Sequence, residues 1–125
     1  MNGEKLSRKD FGPLESEVMG VVWRAGRPVA VREVVDDLNE SRSEPLAYTT
    51  VMTVMSRLAE KDALSRHKSG RSYVYEANAP DAAGIAVKDV LRAYGDVAVA
   101  HFVDEARADP SLRRRLQRLL DEDDG

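Results

Sequence analysis

The hydrophobic period of this chain changes once, and that change limits what it can fold into. As far as Leu64 the apolar residues recur at helical spacing. The run SRHKSGRSYVYEA then alternates about a Ser69-Gly70 turn signal, which puts Tyr73 and Tyr75 on one face of a strand. Before the switch three helical stripes can be read. Leu14, Val18, Val21 and Val22 make the first, with Pro13 suited to a first-turn position and Glu15 and Glu17 near the positive end of the helix dipole. It ends at Ala25-Gly26-Arg27-Pro28. Val31, Val34, Val35 and Leu38 make the second, which stops around Asn39 to Pro45. Ala47, Val51, Val54, Met55 and Leu58 make the third. Three short helices and then a basic hairpin, with Val29 offering a short third strand, is the order of a winged helix-turn-helix, so the expected class is mainly α with a small β-wing.

Past Pro80 the chain reads as three more amphipathic helices. Val87, Val90, Leu91 and Tyr94 stripe the first, which Gly95 closes. Asp96 is placed to cap the next, striped by Val99, Phe102, Val103 and Ala106. Asp109-Pro110 pairs an N-cap with a first helical residue before Leu112, Leu116, Leu119 and Leu120. Helices of this size form little core alone, and a second copy of the same chain is the economical partner for their apolar faces. The expected organisation is a flexible arm over residues 1–10, a winged helix-turn-helix DNA-binding domain over 11–79, a helical dimerisation region over 80–121 and an acidic tail over 122–125.

The composition removes several classes. At 125 residues there is room for one compact domain, or for a small domain and an appendage. The absence of cysteine rules out disulfides, thiolate metal sites and thiol catalysis. His67 and His101 are far apart and lack an HExxH motif, and no Ser/His/Asp spacing or phosphate loop stands out, so neither a metal, a cofactor nor an enzyme is expected. The N-terminal MNGEKLSRKDFG has no apolar signal core, and no run approaches the roughly 20 apolar residues of a membrane span. A cytoplasmic protein without membrane insertion is therefore expected. The net charge of -3 conceals its distribution: residues 1–79 balance twelve basic against twelve acidic side chains, while Arg57, Lys61, Arg66, Lys68 and Arg71 crowd around the hairpin.

The stretch AYTTVMTVMSRL carries the functional signal. Threonine and valine are indifferent helix formers, yet Thr49, Thr53, Ser56 and Glu60 project opposite the apolar stripe, with Thr50, Met52 and Arg57 beside them. A helix entering the DNA major groove needs short hydroxyl side chains near base edges, and methyl groups for contact with the thymine methyl. Arg57 is suited to a phosphate, as are Lys68 and Arg71 at the hairpin turn, with Arg66 and His67 assisting. Tyr48 either donates to a phosphate at the helix start or packs on the wing, and Tyr73 and Tyr75 are expected to face the core. The bland alternative is an ordinary solvated helix and a charged hairpin that resists edge pairing.

LESEVMGVVW, VREVVDDL, AYTTVMTVMSRLAEKDAL, GRSYVYEA and the later HFV together resemble the penicillinase-repressor family of winged-helix transcriptional regulators, which includes BlaI, MecI and copper-responsive CopY-type members. The resemblance implies a homodimeric repressor that binds an inverted-repeat, double-stranded DNA operator. Tyr48, Thr49, Thr50, Met52, Thr53, Ser56 and Arg57 then belong to the recognition helix, Lys68 and Arg71 to the wing, and the helices after Pro80 to the dimer. It also implies control of β-lactam-response genes and release of repression by a membrane metalloprotease sensor pathway that cuts the dimerisation region. The bond matching the family's cut joins His101 and Phe102, where an asparagine commonly precedes the phenylalanine. The cysteines of CopY-type members are absent, and Ala30 stands where relatives often carry a capping Thr or Ser. A function of another class, a winged-helix protein-interaction module, fits the zero charge balance of residues 1–79.

Overall fold

The computed structural model describes residues 11–124, which form six helices and a three-stranded sheet. The expected arm over 1–10 lies outside the described residues. Helix α1 (Pro13–Ala25) begins with its proline at the first position and is closed by Gly26 in the left-handed conformation, φ 65°. Strand β1 (Val29–Ala30) leads straight into α2 (Val31–Asn39), whose start has Ala30 as N-cap. Ala30 lacks a capping oxygen, but its own backbone N–H donates to Glu33 Oε1 at 2.8 Å, and Arg27 Nη2 holds the other carboxylate oxygen of Glu33 at 2.7 Å.

Helix α3 (Tyr48–Glu60) follows a loop fixed by one side chain. Asn39 Oδ1 accepts from the Leu46 backbone N–H at 2.8 Å while Asn39 Nδ2 donates to the Leu46 carbonyl at 3.1 Å, so its amide pairs with that backbone as a strand would. At the other end of α3, Asp62 takes the left-handed conformation (φ 67°). The Ala63 N–H returns to the Leu58 carbonyl at 2.9 Å and that of Asp62 to Ala59 at 3.1 Å, the two bonds of a Schellman cap. The hairpin of β2 (Leu64–Ser69) and β3 (Ser72–Ala77) turns through Gly70 and Arg71, with φ 63° at Gly70 as primed hairpin turns demand. The sheet order is β1-β3-β2, all antiparallel, with Val29 opposite Tyr75 and Lys68 opposite Tyr73.

The core gathers Val18, Val22, Val34, Val35, Val51, Met55, Leu58 and Leu64, all at most 3% exposed. Every residue of the second predicted stripe is buried, whereas Ala47 of the third is the exposed N-cap of α3 and Leu46 packs against the core in its place.

Helix α4 (Ala82–Tyr94), α5 (Asp96–Ala108) and α6 (Pro110–Asp124) complete the chain. Asp96 is the first residue of α5 and Gly95 its cap; at α6 the Asp109 carboxylate does cap, accepting from Ser111 and Leu112 at 3.0 and 3.1 Å. The acidic residues through Asp124 continue α6, so the segment expected as a tail is helical to that point. The chain divides into two compact units after Asp89. The first therefore takes in the early turns of α4, because Ile85, 1% exposed, belongs to the winged-helix core. Among the described residues no helix is long and apolar enough to cross a membrane.

Candidate nucleic-acid interface

Four buried residues of α3, Val51, Val54, Met55 and Leu58, fix its roll. That roll leaves Thr49, Thr50, Thr53 and Arg57 exposed, Ser56 half-exposed, and Tyr48 and Met52 at 38% and 39% exposure. Thr49, Thr50, Thr53 and Arg57 border one shallow groove, whose far wall is Gly12, Pro13, Leu14 and Glu15 at the start of α1. Ser56 lies on the opposite flank, bordering a second groove with Arg66 and His67 of the wing. The outward hydroxyls thus stand between α1 and the hairpin, and Arg57 lies on the α1 side, away from Lys68 and Arg71.

The start of α1 is tied to the end of α3. Lys61 Nζ lies 2.9 Å from both carboxylate oxygens of Glu15, and Glu15 also accepts from the Gly12 N–H at 3.0 Å. Burial of Glu15 acts to raise its carboxyl; the Lys61 ammonium and the Gly12 N–H outweigh it and hold the group below its ordinary value.

The wing differs from its expectation. Tyr75 is 2% exposed in the core, but Tyr73, on the same strand face, is 41% exposed. The core beneath the hairpin stops at Tyr75, and nearer the tip cations cover the ring instead. Arg66 Cζ lies 4.7 Å and Lys68 Nζ 5.6 Å from the Tyr73 centroid. Arg66 is also held above its ordinary value by a side-chain hydrogen bond to Tyr75. Among the described residues no carboxylate forms an ion pair with Arg66 or Lys68; Glu76 faces His67 instead, at 3.8 Å. Lys68 and Arg71 are both exposed at the tip.

One contact was not singled out in the sequence. Arg32, in the first turn of α2, lies with Cζ 4.8 Å from the Tyr48 centroid and adds a cation where the two helices of the motif begin. Helical spacing relates residues within one helix only, so the pairing of Arg32 with Tyr48 left no local signal.

The residues expected in the dimer lie on α4, α5 and α6. Val87, Val90, Leu91, Tyr94, Val99, Phe102, Val103, Leu119 and Leu120 are all at least 40% exposed, and Leu112 and Leu116 are half-buried. The His101–Phe102 bond lies inside α5.

A helix-turn-helix with an outward row of hydroxyls and a cationic hairpin beside it defines the class, a winged-helix DNA-binding protein. The profile of the penicillinase-repressor family matches residues 11–122. The chain belongs to that family, whose members are transcriptional repressors and not enzymes. It is 37% identical over 124 aligned residues to the transcriptional regulator BlaI of Mycobacterium tuberculosis, covering 92% of this chain and 87% of the relative. It is 36% identical to the penicillinase repressor of Bacillus licheniformis over 74 residues, covering 59% of this chain and 56% of that one. A solution structure of the DNA-binding domain of the repressor BlaI superposes with a TM-score of 0.51 at 31% identity, covering 59% of this chain and 87% of that domain. The structure of MepR, a transcription regulator of the Staphylococcus aureus multidrug efflux pump MepA, reaches a TM-score of 0.50 over 95% of this chain and 84% of that one; at 14% identity the likeness is one of fold.

Proposed function

We propose that the protein is a homodimeric repressor that recognises an inverted-repeat operator by placing α3 of each protomer in the major groove. The outward row of Thr49, Thr53 and Ser56 carries this reading, because short hydroxyl side chains on a helix with a fixed roll approach base edges closely. Thr50 and Met52 border the row and offer methyl groups to thymine. Arg57 on one flank and Lys68 and Arg71 on the other take backbone phosphates and set the register. Tyr73 is a positioning residue in this scheme: its ring holds Arg66 and Lys68 together at the wing face, where an anion relieves the repulsion between the two cations. Tyr48, covered by Arg32, directs its hydroxyl to a phosphate at the start of α3. The apolar faces of α4 to α6 join the two protomers, and linkage of two heads raises affinity for a paired site well above that of either head.

Release of repression by proteolysis at His101–Phe102 requires α5 to open first, because nicking favours exposed, irregular backbone. The relatives' names point to β-lactam-response genes as the targets. Selection of genomic DNA fragments by the full-length protein at low and physiological salt tests the whole reading. Enrichment of an inverted repeat with half-sites about one or two helical turns apart supports it. Recovery of arbitrary DNA that vanishes at physiological salt assigns the chain to protein partners instead.

A further inference from the structure

Helix α6 carries its charges in the order opposite to the one its own dipole favours. Arg113, Arg114, Arg115 and Arg118 fill its first two-thirds, and Asp121 and Glu122 stand in its last turn. Acidic groups are disfavoured at the negative end of a helix. The order is also poor within the helix, where an acid preceding a base by four residues is the better arrangement, and Arg118 precedes Glu122. Among the described residues none of these arginines has an ion-pair partner, and the Gln117 side-chain amide donates to Asp121 Oδ1 at 3.1 Å. Beside them Leu119 and Leu120 are each 60% exposed, continuing a stripe whose earlier members Leu112 and Leu116 are half-buried.

From this polarity we infer that a second copy of the chain lays its α6 antiparallel on the Leu119 and Leu120 face, with Arg115 of each protomer opposite the partner's Glu122. A two-fold axis makes each contact reciprocal, so one complementary pair occurs twice. Both Arg115 and Glu122 flank the leucine stripe on the same side, seven residues or about two turns apart, so an axis crossing near Leu119 brings each to the other's height. A parallel pairing sets arginine against arginine and acid against acid, which is the arrangement such a charge order disfavours. The inference rests on the homodimer proposed above and adds its orientation and the residues that specify it.

The test is sedimentation equilibrium of the full chain as wild type, Arg115→Glu, Glu122→Arg and the double variant, at low and physiological salt. In the antiparallel pair each single substitution replaces two attractive contacts with two repulsive ones, and the dimer dissociation constant rises about tenfold. The double variant restores it, and the two single variants mixed together dimerise in preference to either alone. A parallel pair leaves the single variants unchanged. Spin labels on Ser111→Cys give a second readout that leaves both charges in place, and the chain has no native cysteine to interfere. The labelled positions lie on the order of 20 Å apart along the axis in the antiparallel pair, and side by side in a parallel one. A wild-type dimer whose single variants associate normally, or whose labels lie side by side, overturns the antiparallel orientation alone. A wild type that stays monomeric overturns the homodimer as well.

Discussion

The indole N–H of Trp23 donates to the carbonyl oxygen of Ala79 at 2.9 Å, across 56 residues of sequence. It fastens the end of α1 to the point where the chain leaves the wing. Trp23→Phe keeps most of the apolar contact and leaves that carbonyl without its donor. Stability is expected to fall by about 1 kcal/mol. Urea unfolding of both proteins measures it, and an unchanged midpoint would show the carbonyl finding water at no cost.

Glu15 predicts a pH dependence with a defined sign. Its carboxyl is held below the ordinary value in the folded protein, so its contribution is complete above the unfolded-state value and disappears as pH falls through the folded one. The stability gap between wild type and Glu15→Gln should therefore be full at pH 7 and close on acidification. A gap that is constant from pH 7 to pH 3 would mean that the carboxylate charge contributes nothing through Lys61.

Thr53→Ala separates reading from folding. Thr53 is exposed and alanine is the better helix former, so stability should hold or rise by a few tenths of a kcal/mol. Affinity for the preferred operator should drop about fivefold, with relaxed base preference at one position of each half-site. Equal operator affinity for the two proteins would remove Thr53 from the readers.

At the wing, Lys68→Ala and Arg71→Ala should weaken binding to all sequences alike, each making the dependence of log affinity on log salt shallower by about one. Tyr73→Leu retains both cations yet should weaken binding in the same sequence-independent way, because it removes the ring under Arg66 and Lys68. Binding of Tyr73→Leu indistinguishable from wild type would reduce that stack to an ornament of the free protein.

Asn39→Ala removes both bonds to the Leu46 backbone and should cost about 1–3 kcal/mol. Thermal unfolding provides the measurement. A loss of DNA affinity larger than the fraction unfolded would show in addition that this amide sets the angle between α2 and α3.

What the sequence determined by itself is the set of local elements. The stripes at Val31, Val34, Val35 and Leu38 and at Val51, Val54, Met55 and Leu58 located the motif helices and their roll, and with them the outward threonines. Pro13, Gly26, Gly70 and Asp109 marked boundaries through backbone chemistry that operates within a few residues. Tertiary structure decided how far each face is covered. Tyr73 and Tyr75 share a strand face, yet only Tyr75 is buried, since alternation says which side a residue is on and not where the helices beneath it end. Ile85 entered the core while the stripe of Val87, Val90, Leu91 and Tyr94 stayed exposed on the same helix, because which face of an amphipathic helix finds a partner depends on what the rest of the chain presents to it. The contacts that unite the motif, Trp23 with Ala79, Glu15 with Lys61 and Arg32 with Tyr48, join residues from separate elements, and side-chain periodicity carries no information across that distance.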